Sequence, residues 1–128
     1  MVDDMKRTHV RTDAGGRAVH DVGGLDFGPI DRSEHDLALW EKRVDAVMIL
    51  LYARKNFWTV DAMRRTIEDY GQQTYDSTEY YEKWARAMRN LLIEQQVVTR
   101  AEVEAKMIEV VARHRAAGRT VLNDAIEW

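Results

Sequence analysis

No cysteine occurs among the 128 residues, so this chain can supply no disulfide, no thiolate metal ligand and no thiol nucleophile. Also missing is any apolar run approaching the roughly 18 residues that cross a bilayer, and the N-terminus lacks the basic-then-apolar pattern of a secretion signal. Neither a membrane span nor export is expected, and the chain reads as cytoplasmic. No excess of positive charge exists either: 19 Lys and Arg stand against 22 Asp and Glu, a net charge of −3. Nucleic acid is therefore a poor partner, because phosphate binding depends on a basic surface. The length leaves room for one domain and an extended arm, with no space for a second large domain.

Residues 1–32 carry five of the seven glycines and the only proline, Pro29. They show neither helical nor alternating periodicity, so they cannot build a core and read as an arm lying on another surface or as a disordered tail. From Ser33 the pattern becomes helical. Ser33-Glu34-His35-Asp36 reads as a helix start, followed by Trp40, Val44, Val47, Met48 and Leu51 on one face and an end near Asn56. Residues 47–52 are apolar around the whole cylinder, which requires a second covering surface. A second helix follows Thr59 to about Gly71 with the stripe Val60, Met63, Ile67 and Tyr70. A third opens near Ser77 or Thr78 and carries Tyr80, Tyr81, Trp84, Met88, Leu91 and Leu92 to about Gln96. The fourth begins at Thr99 with Glu102 three residues on, places Val103, Met107, Val110, Val111 and His114 inward, and stops at Gly118. These features predict an all-α fold of about four helices over residues 33–118, a Gly-rich extended arm over 1–32, and a short tail over 119–128.

Few residues suggest chemistry on their own. His9, His20, His35 and His114 are scattered without metal-ligand spacing, and no phosphate-binding glycine loop occurs, so no metal ligand is expected on this chain. On the second helix, successive residues advance about 100°. Arg65 thus points away from the apolar stripe while Arg64 lies at its edge. Arg64 either covers apolar surface while pairing with Asp61 or Glu68, or offers its planar fork to an anion or oxidised sulfur on a partner. Tyr80, Tyr81 and Trp84 fall within about one helical turn, where they can pack a core or edge a ligand pocket.

The ordered set His20-Asp21-Val22-Gly23-Gly24, Phe27-Gly28-Pro29-Ile30, Trp40-Glu41, Val60-Asp61 with Arg64, Tyr80-Tyr81-Glu82 and Val98-Thr99 resembles the nitrile hydratase β subunit over residues 19–112. The resemblance implies that a cysteine-bearing α subunit holds a cobalt or iron ion with oxidised cysteine ligands, while this chain wraps it and closes the pocket. It implies that Arg64 hydrogen-bonds those oxidised cysteines and that Asp45, Ile49, Tyr80, Tyr81 and Trp84 bound the substrate space. Asp45 stands where an aromatic residue commonly lines that pocket, which suggests a more polar substrate. The chain stops before the SH3-like barrel of a full-length β subunit, so a separate barrel subunit is expected, as in three-subunit relatives: thiocyanate hydrolase, and the nitrile hydratase that acts on the nucleoside toyocamycin. The resulting expectation is a β-type subunit of a metal-dependent nitrile hydratase, inactive alone, converting a small-molecule nitrile to an amide. The alternatives are a thiocyanate hydrolase β subunit and a non-catalytic activator or metallochaperone.

Overall fold

A computed structural model describes Asp21, residues 23–26, residues 28–122 and Trp128. The arm through residue 20 with His9 and His20, the motif positions Val22 and Phe27, and residues 123–127 of the tail lie outside the described residues. Those that are described form five α-helices and no strand: α1 (Leu39–Ala53), α2 (Val60–Glu68), α3 (Gln72–Ser77), α4 (Tyr80–Glu94) and α5 (Arg100–Ala116). They fall into two compact units, Met1–Leu91 and Leu92–Trp128. None of the helices is long and apolar enough to cross a membrane.

The first helix starts later than its sequence suggests. Asp31 Oδ1 accepts both the Ser33 backbone N–H at 2.9 Å and the Ser33 hydroxyl at 2.7 Å, and the His35 ring lies 2.8 Å from that hydroxyl. The expected cap at Ser33 is thereby committed to a local turn, a common competitor of helix initiation. The same bonds, with that of His35, hold the Asp31 carboxyl below the usual carboxylate range. Residues 33–38 stay non-helical, and α1 opens at Leu39, where Glu41 reaches back to accept the Ala38 N–H at 2.8 Å. No residue of α1 is buried. Its inward side carries the half-buried Glu41, Val44, Asp45, Met48 and Leu51, while Trp40 and Val47, expected inward, are exposed.

The core of the first unit comes from Trp58, Met63, Ile67, Tyr70, Ala87, Met88 and Leu91. Thr59 caps α2 as its sequence predicts, its hydroxyl accepting the Ala62 N–H at 3.2 Å. Beyond α2, the buried Gly71 takes φ +80°, a conformation open to glycine at little cost, and turns the chain into the short α3. That helix had no sequence signal, because six residues show no period. It is held by Lys83 Nζ lying 4.1 Å from the centre of the Tyr75 ring and by the Thr78 hydroxyl donating to the Thr74 carbonyl at 2.7 Å. The Tyr70 hydroxyl donates to the Lys83 carbonyl at 2.7 Å, tying the end of α2 to α4.

In the second unit, the end of α4 closes with Gln96 at φ +59° and the Val97 N–H returning to the Leu92 carbonyl at 2.9 Å. The helix α5 opens on the full reciprocal cap of Thr99 and Glu102, and those bonds lower the Glu102 carboxyl below its ordinary value. Gly118 terminates it at φ +73°, as expected. Arg100 lies over the Trp128 ring at 4.7 Å.

Candidate functional site

Trp58 immediately precedes the Thr59 cap, and Met63 is the fourth residue of α2. These two positions are the pair that an N-terminal hydrophobic staple brings together, and both are nearly sealed from solvent at 4% and 2% exposure. With the stripe anchored in this way, Arg64 emerges at its edge, one turn beyond Val60 on the same side of the helix. Arg64 is exposed and has no hydrogen-bond or ion-pair partner among the described residues, so the pairing with Asp61 or Glu68 does not form there. Arg65, on the opposite side, is the arginine that pairs, its Nη1 lying 3.8 Å from Asp69, the residue just after α2.

The staple also forms the floor of a cavity of about 280 Å³. Met48, Ile49 and Tyr52 of α1 form one wall, Val60 and Met63 of α2 a second, and Trp84 of α4 the third, with Trp58 at the base. The atoms facing the space are apolar. Ile49, Val60 and Tyr52 are 53%, 45% and 44% exposed and form its open side, in contrast to the nearly sealed Trp58 and Met63.

Tyr80 makes T-shaped contacts with both neighbours, 5.1 Å from Tyr81 and 5.9 Å from Trp84, centroid to centroid, with interplanar angles of 84° and 67°. It is itself exposed and fixes the Trp84 ring from the outside. Tyr81 lies on the other flank, facing α1. Its phenol is pushed above the ordinary value by desolvation first, then by the negative charge of Asp45, by Tyr80 and by Glu41. Asp45 is therefore an electrostatic neighbour of Tyr81 and does not line the cavity.

The structure thus brings Ile49 and Trp84 together in one cavity, sets Asp45 beside Tyr81, and leaves Tyr80 as a brace. The periodicity reading did not single out Trp58, Tyr52, Met48 or Met63 as cavity residues. The Trp58–Thr59–Met63 spacing was a usable signal, whereas nothing in the sequence said which helix faces would meet. Among the described residues, no three of His, Cys, Asp and Glu gather as metal ligands. The available chemistry consists of an apolar recess, a guanidinium unpaired among the described residues on the helix that supplies one wall, and a phenol beside a carboxylate.

Residues 17–125 match the family described as nitrile hydratase beta subunit, N-terminal. The chain is 34% identical over 107 residues to the thiocyanate hydrolase subunit beta of Thiobacillus thioparus, a match covering 83% of this chain and 68% of that subunit. It is 28% identical over 93 residues to the nitrile hydratase subunit beta of Pseudomonas chlororaphis, covering 66% of this chain and 42% of that one. A solved structure of recombinant apo thiocyanate hydrolase from Thiobacillus thioparus superimposes with a TM-score of 0.70 at 31% identity, over 84% of this chain and 68% of the matched one.

Proposed function

The chain belongs to the nitrile hydratase β-subunit family through its N-terminal region, and from that premise we propose that it is the β-type subunit of a heteromeric, metal-dependent nitrile hydratase, inactive alone. The observation that carries this reading is the cavity walled by Ile49 and Trp84, with the guanidinium of Arg64, unpaired among the described residues, on the helix that forms another wall. Water adds across the carbon–nitrogen triple bond: its oxygen bonds to carbon, and both protons end on nitrogen as the amide. A cobalt or iron ion held by a cysteine-bearing α subunit supplies Lewis-acid activation. This chain's share is to hold the organic part of the nitrile against its apolar walls and to exclude water from it. Arg64 donates its two parallel N–H groups to oxygen atoms of oxidised cysteine ligands on the partner, charge-assisted bonds that orient those ligands in a poorly hydrated site. Tyr80 braces Trp84, and the Asp45–Tyr81 pair supplies the polar side that a polar or nucleoside nitrile such as toyocamycin would meet.

Thiocyanate hydrolase β subunit is the second reading, favoured by the 34% identity. Purifying this chain with its co-expressed partners and assaying a nitrile against thiocyanate separates the two. In the complex, Arg64→Lys keeps the charge but loses the fork, and is expected to lower kcat by about 10- to 100-fold without dissociating the subunits. Full turnover in that variant would remove Arg64 from the mechanism. A third reading, a metallochaperone or activator, calls for transient rather than stoichiometric association with the metal-bearing chain, which co-purification and metal analysis measure directly.

A further inference from the structure

We propose that the outward face of α5 pairs with the same face of a second copy of this chain, the two helices running antiparallel about a two-fold axis beside Ile108. The pairing concerns a surface and not the chemistry, so it holds or fails independently of the enzymatic reading above.

Charge is ordered along this helix. Residues 101–109 hold Glu102, Glu104 and Glu109 against Lys106, and Lys106 is already bound to Glu109 at 2.8 Å. Residues 110–119 hold Arg113, Arg115 and Arg119 and no acid. A parallel copy would set like charge against like, whereas an antiparallel one sets acid against base and also opposes the two helix dipoles. The spacing fixes a register as well. Glu104 and Arg115 are eleven residues apart, which at about 100° per residue leaves them about 20° apart on one flank of the outward face. Glu102 and Arg113 have the same separation and lie on the other flank. The midpoints of these two pairs fall on either side of Ile108. In an antiparallel pair each flank meets its own equivalent, so a single axis beside Ile108 brings Glu104 to Arg115 of the second copy and Glu102 to its Arg113, each contact occurring twice. Between the flanks, opposite the half-buried Val103, Val110 and Val111, stand exposed alanines and Ile108. Ile108 is 72% exposed, more than any other large apolar side chain on the described helices. Ala105 and Ala112 on either side of it let two helix axes approach to about 8 Å, so the second copy removes from water the one bulky apolar group that this face presents. Each copy offers 17 residues, about 25 Å of helix. Such a contact is small for a self-sufficient interface, and the dimer is accordingly weak and sensitive to salt.

The test uses the full chain, in which the absence of native cysteine lets each introduced thiol be read alone. Under mild oxidation Ile108→Cys is expected to cross-link to itself. Ala101→Cys should not, because its own equivalent lies roughly 20 Å away along the helix in this register. The same holds for Ala116→Cys, whereas the two variants, carrying different tags and mixed, should cross-link to one another. Charge reversal is measured in the Ile108→Cys background at low salt. Glu104→Arg and Arg115→Glu are each expected to slow cross-linking at least about fivefold, and mixing the two should restore it, since acid then faces base again across the axis. Circular dichroism controls for folding. Ala101→Cys cross-linking to itself as fast as to Ala116→Cys overturns the antiparallel pair, as does a charge-reversed mixture that shows no recovery. The Ile108→Cys trap is finally repeated on the chain purified with its co-expressed partners, with tags identifying links between two copies of this chain. Its persistence there supports the pairing in the assembly, and its loss shows that another chain occupies the face and overturns the proposal.

Discussion

The hydroxyl of Tyr70 does more for the site than its distance from it suggests, because its bond to the Lys83 carbonyl joins the helix bearing Arg64 to the helix bearing Trp84. Tyr70→Phe should cost about 1 kcal/mol of stability, read as a fall in melting temperature. Burial raises the Tyr70 phenol well above its ordinary value, an effect only partly offset by the positive charges of Arg89 and Arg86. The proton is therefore held more tightly in the folded chain. The resulting stabilisation is fully present below the unfolded value of about 10 and is lost as pH rises through the folded value. Above about pH 10, one part of the phenolate absorbance should appear only as the chain unfolds, and Tyr70→Phe should abolish that part. Arg65, paired with Asp69 at the surface, is a contrast to Arg64: Arg65→Ala should change stability by at most about 0.5 kcal/mol.

Caps decided which helix boundaries were legible. Thr59 and Thr99 start helices as their sequence predicts, and Gly118 ends one. Thr99→Ala should destabilise by about 1 kcal/mol, since it removes the side-chain half of the reciprocal cap with Glu102. The start of α1 was misplaced at Ser33 because a serine that can cap a helix can equally close a turn, and Asp31 two residues earlier settles the competition. Ala38, the residue that actually precedes α1, offers no side-chain acceptor. Ala38→Ser should therefore stabilise by about 0.5–1 kcal/mol in thermal denaturation. The site was legible to the same extent. Helical spacing flagged Trp84 and placed Arg64 at an edge, because both are properties of a single helix. Trp58, Tyr52 and Met63 share a cavity through the meeting of different elements, which periodicity along one element does not encode. Asp45 stands beside Tyr81 and outside the cavity, a placement that depends on how α1 meets α4 and that no single helix encodes.

Across the chain as a whole, the most conspicuous cost is the outward side of α1. Leu39, Trp40, Val47 and Leu50 are all exposed and fall within about 100° of arc, with Arg43 among them. The all-apolar run noted in the sequence thus receives no second covering within the described residues. Expressed without partners, the chain should scatter light and bind hydrophobic dyes, and co-expression with the proposed metal-bearing subunit should suppress both. The staple that begins α2 has a different reach. Trp58 and Met63 hold up a helix and at the same time close the bottom of the recess, so any change there disturbs the architecture and the proposed recognition together. Ile49, Tyr52 and Val60 carry no such double duty. Diversification of substrate range within this lineage should therefore have run through the rim, leaving the floor as an inherited constant.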